Sequence, residues 1–282
     1  MALLWKFNSL IMSLQIGVLE SSRAGGVPFL LDDYPGAAAA YSFRKLRAGY
    51  TGNAIRVRRS SDNTETNIGF VNGQLDTATL LTFCGVGNGF VTTWYDQSGN
   101  AKNLIQTTAL SQPSIVVSGA LILRNSKPYF EVSSTQFLRF TTDLTTTAGN
   151  SYSFWMTYEK DTTVGNQAIL IKDTGQYHWL DYQLVQYINN NDSITISSRY
   201  EANIVYINNT ITNYSVGATI YRNGASIGTR GALNAGAASS YLPSDGFRSA
   251  KITMSEFVFY PSNQEANRTA ITNNINAFFT IF

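Results

Sequence analysis

Two clusters in the sequence combine aromatic rings with polar tips, a pairing able to stack on a sugar and hydrogen-bond its hydroxyls. The first is Trp94-Tyr95-Asp96-Gln97; the second is Tyr177, His178, Trp179, Asp181 and Tyr182. The first also reads as a core strand running into a turn, and that is the preferred account. In the second, strand alternation sets Tyr177 and Trp179 on the face opposite His178, Leu180 and Tyr182. With Leu180 and Tyr182 in the core, Trp179 is exposed and can stack on a ligand. Trp94, Tyr95, Asp96, Gln97, Tyr177 and Trp179 are therefore the candidate ligand-binding residues. His178 is the only histidine and Cys84 the only cysteine. That scarcity excludes most histidine-based zinc sites, which take several His or Cys ligands. It leaves a cysteine nucleophile a single histidine to rely on, and it forbids an intrachain disulfide. No metal and no cofactor is expected.

The chain that must position these residues has 282 of them, enough for one large β sandwich. Charged residues make up 13%, about half the share usual in soluble domains; Thr, Ser, Asn and Gly supply the polarity. Net charge is +2, and the densest basic run is Arg44, Lys45, Arg47, Arg56, Arg58 and Arg59. Nucleic-acid binders carry a larger excess on one face, so the run reads as structural and no nucleic-acid partner is expected. A lone cysteine suits assembly in a reducing cytoplasm. Met1 to Leu19 is apolar but interrupted by Asn8, Ser9, Ser13 and Gln15. It is too short and polar for a membrane span and ends in a poor cleavage site. Residues 1–26 are read as a docking segment and 27–282 as the main domain.

Along that domain, Asp32, Asp33 and Pro35 before four alanines read as a helix start, with Ala39, Phe43 and Leu46 on one face. Ala54–Arg59 alternates as a half-buried strand. Asp76 caps a short helix ended by Gly85 and Gly87. From about Ser114 the pattern is β: Tyr152, Phe154, Met156 and Tyr158 repeat with period two, Asn223-Gly224 marks a hairpin, and Lys251–Tyr260 alternates. Ser262 and Glu265 have capping-box spacing before a helix whose stripe is Ile271, Ile275, Phe278 and Phe279. The fold class expected is mainly β, a concanavalin A-like or laminin-G-like jelly-roll sandwich with short N-terminal helices and a C-terminal helix.

The blocks Ala40-Tyr41-Ser42-Phe43-Arg44-Lys45-Leu46, Tyr50-Thr51-Gly52, Ile55 to Asp62, Ile68-Gly69-Phe70 and Trp94-Tyr95-Asp96-Gln97-Ser98-Gly99 resemble the start of the catalytic domain of fungal α-L-arabinofuranosidases B, over about residues 37–106. The same block is similar to one that recurs in structural proteins of tailed bacteriophages, and Leu30-Leu31-Asp32-Asp33-Tyr34-Pro35-Gly36-Ala37 is closer to those versions. Tyr129 to Val132, Phe137 to Phe140, Tyr221 to Gly224 and Ser255 to Tyr260 resemble laminin-G and concanavalin-like domains. The enzyme resemblance implies a retaining glycosidase with two carboxyl groups about 5–5.5 Å apart. It implies a nucleophilic Glu in an Asn-Ala-Glu-Thr context, which the sequence lacks. It also implies an acid Asp after Gly-Gly; Asp245 lies at a compatible distance before Glu256 but follows Pro243 and Ser244, and is a weak candidate only. The family's disulfide is lost at Cys84. Scaffold likeness alone does not carry activity.

The expectation is therefore a bacteriophage virion structural protein, a capsid-surface, head-fibre or tail-fibre subunit without enzymatic activity on arabinofuranosides. Its lectin-like domain would contact host or environmental glycans. It would assemble in the host cytoplasm as a homo-oligomer, joined to other virion proteins through the N-terminal segment, with no membrane span. The alternatives are a glycoside hydrolase of the arabinofuranosidase type and a secreted, non-catalytic carbohydrate-binding module.

Overall fold

The computed structural model describes residues 23–24, 26–132, 135–141, 144, 151–160, 167–171, 177–180, 185–189, 192–197, 200–213, 215–232 and 252–282. For 23–24, 160, 167–171, 177–180, 185–189 and 192–193 only the backbone is described. Most of the N-terminal segment, residues 1–22 and 25, lies outside these, and so does its reading as a docking element.

The described chain opens with a two-strand hairpin, β1 (Arg23–Ala24) and β2 (Val27–Pro28), followed by one helical turn, α1 (Leu30–Asp33). The helix expected after Pro35 does not form. Residues Ala39–Ser42 are strand β3, buried throughout and paired with the last strand of the chain. Helix propensity separates alanine from other ordinary residues by at most about 0.7 kcal/mol each. Burying Tyr41 and Phe43 on one face, with Ala40 and Ser42 on the other, outweighs it. The true period here is two.

β4 (Ile55–Arg59) has the expected alternation, with Ile55 and Val57 fully buried. It pairs with β5 (Glu65–Ile68). The small hairpin β6 (Phe70–Val71) and β7 (Gln74–Leu75) leads to helix α2 (Thr77–Cys84). The Asp76 side chain accepts from Thr79 N at 3.0 Å, and Gly85 at φ 57° ends the helix, as expected. Cys84, the last residue of this helix, is buried, and burial pushes its thiol pKa up, partly offset by the Arg59 charge. Such a thiol is a core side chain, not a nucleophile. Next come β8 (Gly89–Trp94), β9 (Leu104–Ile105), β10 (Ser114–Val117), β11 (Ala120–Leu121), β12 (Leu123–Arg124), β13 (Lys127–Pro128), β14 (Phe130–Val132) and β15 (Arg139–Phe140).

The long strands follow: β16 (Ser153–Lys160), β17 (Gln167–Ile171), β18 (Tyr177–Leu180), β19 (Val185–Asn189), β20 (Asp192–Thr195), β21 (Val205–Asn213), β22 (Gly217–Arg222), β23 (Ala225–Arg230) and β24 (Ile252–Tyr260). The main antiparallel sheet runs β15-β9-β8-β10-β14-β24-β16-β21-β22-β23, with β3 also on β24 and β4 on β8. A separate sheet runs β17-β18-β19-β20. Asn223 and Gly224 turn β22 into β23, both at positive φ (50° and 81°), which is what a two-residue primed turn requires. The architecture is the expected mainly antiparallel jelly-roll sandwich with few helices and a C-terminal helix.

Two apolar layers lie on opposite faces of β24. The inner one centres on Trp94, whose ring meets Phe130 edge-on at 4.9 Å and Tyr41 and Phe43 at 5.5 Å. The outer one joins Trp155, Ile207, Val258 and Tyr260 to Ile271, Ile275, Phe278 and Phe279 of the final helix, α3 (Arg268–Phe279). The stripe is as expected; the capping box is not. Glu265 sits in a 3-10 turn and gives its carboxylate to Tyr221 and Arg268, while Asn263 accepts from Glu265 N. The competing partners delay the helix until Arg268.

The basic run is structural, as read. Arg44 is wholly buried and grips Glu256 of β24 through two bonds of 2.7 and 2.9 Å. Its third nitrogen donates to Asn274 of α3 at 2.8 Å, and Ser42 donates to the same Glu256 carboxylate. Arg56 pairs with Glu65 and Arg59 with Asp62. Among the described residues no helix is long and apolar enough to cross a membrane.

Candidate functional site at the strand ends

The first aromatic-polar cluster is turned inward. Trp94 is 1% exposed in the inner layer. Asp96 accepts from Ala40 N (2.9 Å), Ser98 N (2.8 Å), Ser98 Oγ (2.7 Å) and Lys102 N (3.0 Å). Gln97 donates through Nε2 to the Ser42 and Arg44 carbonyls and accepts from Leu46 N through Oε1. These side chains satisfy the backbone of residues 40–46 much as a neighbouring strand would. Only Tyr95 reaches outward, its hydroxyl donating to Asn67 at 2.9 Å. Asp96→Ala will leave the buried Ala40 N–H without its acceptor and cost at least about 2 kcal/mol, read as a lowered urea midpoint; an unchanged midpoint would show that water replaces the carboxylate. Beside this loop lies a pocket of about 560 Å³ whose wall includes Arg47, Ser98, Asn100 and Lys102.

The second cluster lies on β18, whose backbone pairs Trp179 with Ala168 on one side and Tyr187 on the other. The side chains of Tyr177, His178 and Trp179, and all of Asp181, Tyr182 and Asp245, lie outside the described residues.

Polar groups gather instead where β16 stops and β24 starts, Lys160 pairing with Ile252. On the inner face the Tyr158, Tyr200 and Tyr206 rings pack against one another at tilted and edge-on angles, and the Arg222 guanidinium lies 5.0 Å from the Tyr200 ring and 5.3 Å from that of Tyr206. Tyr200 donates to Asn208 Oδ1 at 2.6 Å, and Asn208 Nδ2 is buried with no partner among the described residues. Burial pushes the Tyr158 and Tyr200 phenols well up, so both stay neutral donors. On the helix face Thr253 is paired across the sheet with Glu131 and Glu159 at once. Directly opposed residues share a face, so two carboxylates flank one hydroxyl. Glu159 is 3% exposed and held by the half-exposed Arg124; the Thr253 Oγ is buried with no partner among the described residues. Asp245 lies seven residues before Ile252, within about 25 Å of this end by chain reach alone.

Neutral hydroxyls, an amide, a guanidinium and carboxylates are the groups that recognise a polyhydroxylated ligand and can move a proton on it. Sequence reasoning sets Glu159 aside, because its neighbours are not those of the family's nucleophile, and gives no reason to single out Glu131 or Thr253. The available signal was an acid inside an otherwise apolar strand, Ser153-Phe154-Trp155-Met156-Thr157-Tyr158-Glu159. Among the described residues no group of three His, Cys, Asp or Glu could hold a metal.

The fold is that of an arabinofuranosidase catalytic sandwich. The family model described as alpha-L-arabinofuranosidase B, catalytic, matches residues 31–122. A GH54 α-L-arabinofuranosidase soaked with a cyclic sulfate inhibitor superposes with a TM-score of 0.65 at 19% identity, over 86% of this chain and 62% of that one. An arabinofuranosidase complexed with arabinofuranosyl-alpha-1,2-xylobiose gives 0.62 at 19%, with the same coverage. A glutamate-to-glutamine mutant of a GH54 α-L-arabinofuranosidase soaked with 4-nitrophenyl α-L-arabinofuranoside gives 0.66 at 18%, again with that coverage. The chain thus spans 62% of the length of these relatives. A comparison with curated proteins by sequence finds no match.

These findings correct the functional expectation. The family model and these structures are of arabinofuranosidases, and nothing among them is a bacteriophage virion, capsid or fibre protein. The virion reading, and the expectation of a chain that is not an enzyme, are overturned.

Proposed function

We propose that the chain is a glycoside hydrolase of the α-L-arabinofuranosidase type, releasing arabinofuranosyl groups from a larger glycan. The observation that carries this is the match of residues 31–122 to the arabinofuranosidase B catalytic model, on a chain that folds like that domain over 86% of its length. Retaining hydrolysis needs one carboxyl to protonate the leaving oxygen and a second to attack the sugar carbon, about 5–5.5 Å apart. Asp245 is the acid in this reading. Glu159 is the partner, because it is a buried carboxylate at the strand end towards which the Asp245 segment leads, and Arg124 fixes its orientation.

The test is release of nitrophenol from 4-nitrophenyl α-L-arabinofuranoside by the whole chain. Hydrolysis is expected, and Asp245→Asn and Glu159→Gln should each lower kcat by roughly 10²–10⁴ with the fold intact by circular dichroism. No release by the parent protein overturns the function. Release that survives Glu159→Gln moves the second carboxyl to another residue.

A further inference from the structure

The pocket beside the loop that follows Trp94 takes no part in the proposed hydrolysis. It has a volume of about 560 Å³ and reaches Pro261, past the end of β24 opposite to Ile252 and the candidate site. The length of β24 sets these two ends roughly 25 Å apart. Two cationic side chains, Arg47 and Lys102, stand in the pocket wall with Ser98 and Asn100, and among the described residues no acid does. Arg47 Nη1 donates to the Ser98 carbonyl at 2.7 Å, and among the described residues no carboxylate pairs with this guanidinium. Gly99 has φ 97°, and a Cβ there would stand 2.9 Å from the same Nη1, so the guanidinium lies close over the turn. Lys102 is held by its main chain: its N–H donates to Asp96 Oδ2 at 3.0 Å, and its carbonyl accepts from the Tyr41 hydroxyl. Asp96 itself is 5% exposed and accepts from four donors, so its oxygens are already occupied.

A concave wall with two cations and no acid favours an anion. A guanidinium carries its N–H donors in a planar fork that matches a carboxylate two bonds at a time. Here Ser98 engages one nitrogen of that fork. Much of the remaining wall is apolar, with Pro35, Ala37 and Pro261 in it. Such a surface suits the C–H face of a sugar ring, and a bare inorganic anion would leave it uncovered. The volume falls within the roughly 300–1,000 Å³ of small-molecule pockets. We propose that this pocket binds a uronic acid unit of a glycan, with Arg47 and Lys102 on its carboxylate and the apolar wall against its ring. The sugar as bearer of the acid rests on the hydrolase reading; the preference for an anion rests on the pocket alone. A glycan gripped here would hold its other side groups at a raised local concentration near the candidate site.

Calorimetric titration of the full chain with trigalacturonate, and with the same trisaccharide after its carboxyls are reduced to alcohols, tests this. The acid should bind at least tenfold more tightly than the neutral sugar, and more weakly as salt is added. Arg47→Gln and Lys102→Gln should each weaken binding of the acid at least tenfold, with the fold unchanged by circular dichroism. Lys102→Gln keeps the test decisive if Arg47→Gln disturbs the loop. Equal affinity for the acid and the neutral sugar overturns the proposal, and so does binding that neither variant alters. Inorganic phosphate bound as tightly as the trisaccharide also overturns it, because the apolar wall would then contribute nothing. Release of nitrophenol from the arabinofuranoside is scored separately. Its absence removes the enzyme reading and leaves the pocket, whereas lost uronate binding removes the pocket and leaves the enzyme.

Discussion

Arg44→Met will lower folding stability by about 3–5 kcal/mol, the usual cost of breaking a buried ion pair from one side. The carboxylate left behind is that of Glu256, 1% exposed on β24 and closed over by α3. Ser42 would still donate to it, but one hydroxyl does not replace a bidentate guanidinium. Asn274 would lose its donor as well, loosening α3. The double variant Arg44→Met/Glu256→Leu removes both charges and should recover most of the loss, falling short by about 1 kcal/mol for the stranded Ser42 hydroxyl. Urea unfolding of the parent, both singles and the double checks this. A single variant within about 1 kcal/mol of the parent would mean that water reaches Glu256.

Ile275→Asp will cost several kcal/mol at neutral pH. Ile275 is fully buried in the layer between α3 and the sheet, and an unpaired carboxylate there is strongly penalised. Burial raises the pKa of the new carboxyl above its unfolded value near 3.9. The folded state then holds the proton more tightly than the unfolded state. The deficit should be smallest below about pH 4 and should grow as pH rises through the raised pKa. Melting curves at pH 4 and pH 7 measure it. A variant that melts like the parent at pH 7 would show that α3 is not docked on this face.

Periodicity was enough for the sandwich and its closing helix, because burial on one face leaves a repeat in the chain. The Asn223-Gly224 turn and the Asp76 cap were equally legible, since each depends on residues adjacent in sequence. The helix expected after Pro35 failed because the deciding partner of Ala39–Ser42 is β24, more than two hundred residues away. The Ser262–Glu265 box failed for a like reason: Tyr221 and Arg268 compete for the carboxylate. At the candidate site, Trp94, Asp96 and Gln97 look chemical in sequence, yet Trp94 is buried among the rings of the inner layer, and Asp96 and Gln97 are occupied with backbone groups of residues 40–46 and of the loop at 98–102. Glu131, Thr253 and Glu159 come from three distant strands, so no local pattern announces them. Conversely, the scaffold motif from Ala40 to Gly99 is legible in sequence, because its residues bond to one another within sixty positions, Asp96 to Ala40 and Gln97 to Ser42 and Leu46.

β24 is the last described strand in the sequence and yet lies in the middle of the sheet, touching β14, β16 and β3. Every one of its residues is buried. On a ribosome, β3 emerges long before its partner strand β24, and Arg44 is made long before Glu256. Until β24 and α3 have been made, the unfinished product carries two unfilled sheet edges and an uncovered apolar layer. Sandwiches closed by such distant contacts fold slowly. The nascent chain therefore keeps that surface open until β24 has been made, the kind of exposure that favours association and that chaperones shield.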